Sequence, residues 1–87
     1  MITTDKQLLQ KSAGLAGNLL GLTDWNDDLT LLRIYSVLAR QTGSDESNMR
    51  HWVQTPNKHL DGKVPANLLT SADGEMKVLS VLESYLN

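Results

Sequence analysis

Two prolines, Pro56 and Pro65, constrain the fold of this 87-residue chain more than any other feature. Pro56 follows an apolar segment that includes Trp52 and Val53. Proline lacks a backbone N–H and disfavours helical angles in the residue before it, so a helix must stop near Gln54. Pro65 stands where a new helix can begin, because the missing N–H does no harm at the first helical position. The prolines therefore predict two helices joined by a stiff connection.

The connection between the prolines, residues 55–64, is called the elbow below. Asp61 and Gly62 form a dipeptide typical of turns and are predicted to reverse the chain. Asn57 can accept a hydrogen bond from nearby backbone, which gives it a structural role in the turn. A large aromatic residue such as Trp52 is predicted to pack in the core of a small domain. The residues predicted to have a structural role here are Trp52, Pro56, Asn57, Gly62 and Pro65.

The remaining apolar residues recur at helical spacing, and no segment shows the alternation of a strand. Residues that cap or end helices predict helices over residues 4–20, 29–43, 45–54, 65–69 and 70–86. Gly21 is expected to close the first helix, Ser44 or Asp45 to cap the third, and Thr70 or Ser71 to cap the last. We therefore expect an all-α fold, a small single-domain bundle of about five helices.

The first helix is predicted to bury one apolar face. Gly14 and Gly17 weaken a helix, so they indicate close approach by another helix and make oligomerisation plausible. Trp25 lies in the acidic connection of residues 23–28, where local packing and contact with a partner are both open. The residues assigned to the apolar face are Leu8, Leu9, Leu15, Ala16, Leu19 and Leu20.

The charge distribution argues against DNA binding by this chain alone. The net charge is -2, from 8 basic and 10 acidic residues. Residues 1–28 and 64–87 are acidic and residues 29–63 are slightly basic, but no stripe concentrates lysine and arginine. Proteins that bind DNA need such a stripe to neutralise phosphates.

Composition also argues against a membrane protein, a metalloprotein and an enzyme. No apolar run approaches the length of a membrane span, no signal peptide is recognisable, and there is no cysteine, so a cytoplasmic location is expected. The two histidines, His51 and His59, lack the spacing of a compact metal site. No nucleophile elbow or phosphate-binding loop is present, so we expect no catalytic residues, no metal and no cofactor.

The residues around the elbow resemble a known family. Trp52-Val53-x-Thr55-Pro56-Asn57 is followed by Leu60-x-Gly62-Lys63-x-Pro65-x-x-Leu68-Leu69 and then by an amphipathic helix that contains a glycine. This pattern resembles the C-terminal toxin-binding domain of the Xre/MbcA/ParS antitoxins. Upstream, the apolar seam of residues 32–39 and the acidic start Ser44-Asp45-Glu46 occur in the same order. The resemblance covers residues 29–87.

This resemblance implies that the chain inhibits a RES-domain toxin, which consumes NAD, by covering its active site. The C-terminal helix is then expected to reach the substrate pocket, and the chain to form a homodimer or higher oligomer. The last helix has apolar residues on more than one stripe, which is typical of a helix that also meets a partner. The residues expected to bind the partner are Lys58, His59, Lys63, Asn67, Tyr85, Leu86 and Asn87.

The chain also departs from the family pattern. Members usually have an N-terminal helix-turn-helix region, whereas residues 1–28 are expected to form one helix and an acidic connection without a complete helix-turn-helix. Regulation through DNA is therefore in doubt. Two alternative functions stay open: a non-enzymatic adaptor or oligomerisation domain with the same fold, and a DNA-associated regulator whose basic face forms only in an oligomer.

Overall fold

Helices make up almost all the regular structure of this chain in the computed structural model, which describes the backbone of residues 5–84 and the surroundings of side chains 7–84. The helices are α1 (Asp5–Leu19), α2 (Asp28–Thr42), α3 (Glu46–Gln54), a 3₁₀ helix (Lys58–Leu60), α4 (Pro65–Leu68) and α5 (Ala72–Ser84). The predicted all-α fold of about five helices is confirmed. None of these helices is both long and apolar enough to cross a membrane, as far as residues 5–84 are concerned.

α2 lies at the centre of the bundle and contacts α1, α3 and α5. Its residues Leu31, Ile34 and Leu38 are completely buried. They recur at the spacing that aligns side chains on one face of a helix, so α2 supplies the middle of the core. The buried core residues are Ala13, Leu20, Leu31, Ile34, Val37, Leu38, Met49, Val53, Leu60, Leu69, Val78, Leu79 and Leu82.

Side-chain caps begin three of the α-helices. Asp27 caps α2 by accepting hydrogen bonds from Thr30 N at 2.9 Å and Thr30 Oγ1 at 2.8 Å. The bond from the backbone N–H is the main reason that the pKa of Asp27 is lowered from its ordinary value. Of the predicted alternatives, Asp45 caps α3 and Ser71 caps α5, accepting hydrogen bonds from Asn48 N at 3.1 Å and Gly74 N at 3.0 Å. These bonds satisfy N–H groups that a helix start leaves unpaired.

α1 ends at a glycine, as predicted. Gly21 has a φ of 75°, in the left-handed region. The N–H of Leu22 donates to Gly17 O at 2.8 Å and the N–H of Gly21 donates to Asn18 O at 3.1 Å. This is the Schellman arrangement, in which glycine is favoured because it has no Cβ.

Part of the predicted apolar face of α1 is wrong. Leu8 and Leu15 are 53% and 62% exposed, whereas Ala13, which was not assigned to the face, is fully buried. α1 packs on α2 through the side that contains Ala13 and Ala16. Small side chains at these positions let the two helix backbones come close, so the larger leucines on the neighbouring stripe stay outside the contact.

The surroundings of Gly14 and Gly17 also differ from the predicted close approach by another helix. The indole ring of Trp25, and not another helix, lies against Gly17, where an added Cβ would overlap with the ring. Nothing lies within 4 Å of the position that a Cβ would take at Gly14. Trp25 is half-buried, and its Nε1 donates to Asp28 Oδ1 at 2.7 Å. Local packing therefore accounts for Trp25.

Candidate functional site

The elbow is held together by hydrogen bonds that converge on Asn57. Its Oδ1 accepts from the N–H of His59 at 2.8 Å. Its carbonyl oxygen accepts from Leu60 N at 3.0 Å and Gly62 N at 2.9 Å, and its own N–H donates to Lys63 O at 3.0 Å. A single residue thus ties both ends of the turn to each other. An asparagine suits this position because its short side chain reaches the backbone two residues on.

The two ends of the elbow follow from the local sequence. α3 stops two residues before Pro56, and Thr55 Oγ1 donates to His51 O at 2.6 Å at its last turn. Asp61 and Gly62 take left-handed backbone angles, with φ of 57° and 78°, where the chain reverses. Pro65 is buried at the first position of α4. The elbow therefore has little freedom to change shape.

An open groove, called the elbow groove below, lies between the elbow and α5. Its apolar lining includes Leu60 and Leu68 from the elbow side and Val81 from α5. Met76 also lines it and is 61% exposed, which is unusual for a large apolar side chain. The charged and polar residues of the groove are His59, Asp61, Lys63, Asp73, Lys77 and Ser80.

The residues expected to bind a partner do not all share this groove. His59 and Lys63 line it, whereas Lys58 is exposed and does not line it. Asn67 lines a different recess, together with Gly21 and Gln54. Tyr85, Leu86 and Asn87 lie outside the described residues. The residues expected to bind a partner therefore lie on at least two distinct surfaces: the elbow contributes to the groove beside α5, and Asn67 of α4 lines a separate recess.

Met76 and Lys77 are groove residues that sequence reasoning did not assign to the site. Lys77 Nζ lies 3.3 Å from Asp73 Oδ2, one helical turn earlier. Both members of this pair are exposed, so it contributes little stability and is free to rearrange around a partner. The signal that could have identified Met76 is the second apolar stripe on the last helix, since the core needs only one.

Glu75 was also missed, although it is central to the position of α5. Its side chain is only 2% exposed. Oε1 accepts from Asn26 Nδ2 at 3.0 Å and Oε2 accepts from Asp27 N at 3.0 Å, while Asn26 N donates to Leu69 O at 2.7 Å. These bonds fix the start of α5 to the connection that leads into α2. An acid in the first turn of a helix is ordinarily a solvated partner of the dipole, so the sequence pattern did not distinguish it.

The start of α5 also packs closely on α4. A Cβ at Gly74 would overlap with the carbonyl oxygen of Leu68, so only glycine permits this approach. At the other end of α5, Gln41 Nε2 donates to Leu82 O at 2.8 Å and Arg33 Nη2 lies 3.1 Å from Glu83 Oε2. α5 is therefore held at both ends, and the groove wall that it forms is fixed.

Metal binding has no structural basis within the described part of the chain. No group of three or more His, Cys, Asp or Glu residues in that part is arranged to hold a metal ion. His51 and His59 are both exposed.

The chain matches a model of a known protein family. A family model described as the antitoxin Xre/MbcA/ParS C-terminal toxin-binding domain matches residues 37–85, which is more than half of the chain. The matched region contains the second half of α2, all of α3, the elbow, α4 and α5, and hence both walls of the elbow groove. No curated protein matches the chain at a significant level.

Proposed function

The chain belongs to the Xre/MbcA/ParS antitoxin family through its C-terminal toxin-binding domain, and we propose that it inhibits a RES-type, NAD-consuming toxin by covering the toxin's active site. The observation that carries this proposal is that the family match contains the whole elbow groove. The match covers residues 37–85, and the residues that line the groove lie between His59 and Val81. The protein itself acts as a binding module and supplies no chemistry.

The shape of the groove supports a protein partner. Interfaces place apolar side chains at their centre and charged residues at their rim. The elbow groove has this arrangement, with Leu60, Met76 and Val81 among its apolar residues and Lys63 and Lys77 among its charged ones. Because the elbow and α5 are fixed by internal hydrogen bonds, they lose little conformational freedom when a partner binds.

The C-terminus is the second part of the proposal. We infer that Tyr85, Leu86 and Asn87 enter the substrate pocket of the toxin. The hydrogen bond from Gln41 to Leu82 O holds the last described turn of α5 against α2, which sets the position from which the following residues continue. A helix end offers unpaired carbonyl groups that can accept hydrogen bonds from a site built to hold a dinucleotide.

Inhibition of a purified RES-domain toxin encoded beside this chain tests the proposal. The intact chain should abolish NAD consumption by the toxin. Met76→Glu should weaken inhibition at least tenfold, because it places a charge in the apolar part of the groove, and a tenfold loss corresponds to about 1.4 kcal/mol of binding free energy. Leu15→Glu is the matched control, since Leu15 is equally exposed but lies outside the family match.

Removal of residues 85–87 tests the role of the C-terminus in the same assay. The truncated chain should still bind the toxin through the groove but should inhibit NAD consumption less. If the truncated chain inhibits as well as the intact one, entry into the substrate pocket is wrong. If the intact chain binds no RES-domain toxin at all, the proposed partner is wrong.

A further inference from the structure

A recess with a mostly polar lining lies where the end of α1, the end of α3 and α4 meet. It shares no residue with the elbow groove, so toxin binding at that groove does not account for it. Its volume of about 370 Å³ accommodates one long side chain. We call it the polar recess, and its lining includes Gly21, Thr23, Asp24, Gln54, Asn67 and Thr70.

Hydrogen bonds between distant parts of the chain fix the walls of the polar recess. Gln54 Nε2 donates to Leu20 O at 3.1 Å and to Gly21 O at 3.3 Å, which joins the end of α3 to the end of α1. The N–H of Asn26 donates to Leu69 O at 2.7 Å and holds the acidic connection against the residues that follow α4. A ligand that enters the recess therefore meets groups that are already in place.

Several polar groups of the recess keep free hydrogen-bonding capacity. The side chains of Thr23 and Asn67 form no hydrogen bond within the part of the chain that the structure describes. Thr70 Oγ1 donates to Asn67 O at 3.4 Å, so its own lone pairs can still accept. Asp24 Oδ1 accepts from the N–H of Trp25 at 2.9 Å, which leaves Oδ2 to a ligand. The recess therefore offers acceptors from two distant segments of the chain.

The charge of the polar recess favours a cation. Asp24 is the only charged residue of its lining and forms no ion pair with any described residue. The recess also lies at the C-terminal ends of α1 and α3, where helix dipoles are negative. Arg50 lies beside it, with Nε donating to Leu19 O at 3.0 Å, but does not line it. Asp24 is thus left without a cationic partner.

We propose that the polar recess binds an arginine side chain of the protein partner that covers the elbow groove. A guanidinium group has several N–H donors in one plane, so it can reach the Asp24 carboxylate and Asn67 Oδ1 together. Its aliphatic stem covers Leu22 and Ala66, which also line the recess. The ammonium group of a lysine is a compact, strongly hydrated charge and suits such spread acceptors less well.

One partner can occupy both sites, because α4 contributes to each of them. Leu68 lines the elbow groove and Asn67 lines the polar recess. Consecutive residues of a helix lie about 100° apart around its axis, so these two side chains leave α4 in different directions. Asp24 lies outside the family match of residues 37–85. The recess therefore adds a contact that depends on a part of this chain beyond the matched domain, and it sets a preference among partners.

An NMR titration of the chain alone with N-acetyl-arginine amide tests the recess without any toxin. The side-chain amide signals of Asn67 should shift with this probe and not with N-acetyl-citrulline amide, which has a similar shape and no charge. Asp24→Asn should raise the dissociation constant about threefold or more, since it removes the charge but keeps an oxygen for the N–H of Trp25. Glu46→Gln is the matched control, because Glu46 is an exposed acid at the other end of α3, and should leave the constant unchanged.

Three results of this titration would overturn the proposal. The first is the absence of a shift at Asn67. The second is an equal shift with both probes, which would show that charge plays no part. The third is a set of shifts confined to Asp61 and Asp73, which would show undirected pairing of the probe with exposed acids outside the recess.

Calorimetry of toxin binding tests the same site in the complex, and this step rests on the proposed function. Asp24→Asn and Asn67→Ala should each raise the dissociation constant of the toxin about threefold or more, with circular dichroism unchanged because both residues are exposed. Glu46→Gln should leave the constant unchanged. An unchanged constant in both recess variants would overturn the proposal. If no RES-domain toxin binds the chain, the proposed function fails, and the titration with the arginine probe still decides the recess.

Discussion

Glu75 is a buried acid whose carboxylate oxygens both accept hydrogen bonds, one from Asn26 Nδ2 and one from the N–H of Asp27. Burial of a carboxylate is costly unless such bonds replace those to water. Charged groups form hydrogen bonds stronger than those between neutral groups, so this residue offsets its burial and joins α5 to the start of α2. Asp27 in turn caps α2, and the two acids therefore act on the same backbone.

We predict that Glu75→Gln lowers the free energy of unfolding by about 1–3 kcal/mol, because one accepting oxygen becomes an NH₂ group that faces another donor. Urea denaturation monitored by circular dichroism measures this change. Glu46→Gln is the matched control, since Glu46 is also in the first turn of a helix but is exposed. It should change the stability by less than about 0.5 kcal/mol. Equal effects of the two substitutions would show that the bonds to Glu75 add no stability.

At the scale of the helices, the boundaries were predictable where a local rule sets them. The end of α3 before Pro56, the start of α4 at Pro65 and the glycine that closes α1 each depend on the backbone preferences of one or two residues. Packing was not predictable in the same way. Which stripe of α1 faces α2 depends on how closely two helices approach, and periodicity alone did not favour Ala13 over Leu15.

The candidate site was predictable only in part for the same reason. His59 and Lys63 face α5 while Asn67 does not, although all three lie close to each other in sequence. Which side of a turn faces a distant helix is decided by the packing of that helix. Here the packing depends on Glu75 and on the close contact at Gly74, and neither has a signature in the local sequence.

The contact between α1 and Trp25 gives a prediction for two glycines in one helix. Gly17→Ala should lower the free energy of unfolding by about 1–3 kcal/mol, because the new methyl group overlaps with the indole of Trp25 and displaces it. Gly14→Ala meets nothing within 4 Å and should raise stability by up to about 1 kcal/mol through the helix propensity of alanine.

Thermal denaturation of the two variants measures these opposite effects. In a Trp52→Phe background Trp25 is the only tryptophan, so its emission should move to longer wavelength in Gly17→Ala and stay unchanged in Gly14→Ala. If Gly17→Ala is as stable as the wild-type chain and its emission is unchanged, the ring does not lie against Gly17 in solution.

Burial is distributed unevenly over the whole molecule. None of the described side chains from Gln7 to Ser12 is buried, whereas α2 carries three residues that are completely buried. The first half of α1 is therefore held mainly by its own helical hydrogen bonds. Short helical segments with no fully buried side chain are only marginally stable in water, so this part should open without the rest of the bundle.

Hydrogen exchange measured by NMR should show this difference directly. The amides of residues 34–38 should exchange only when the whole molecule unfolds, because α1, α3 and α5 surround α2. The amides of residues 9–12 should exchange at least tenfold faster, since local opening of that segment exposes no core, and a tenfold difference corresponds to about 1.4 kcal/mol. Protection of residues 9–12 equal to that of residues 34–38 would instead show that the first half of α1 is covered in solution.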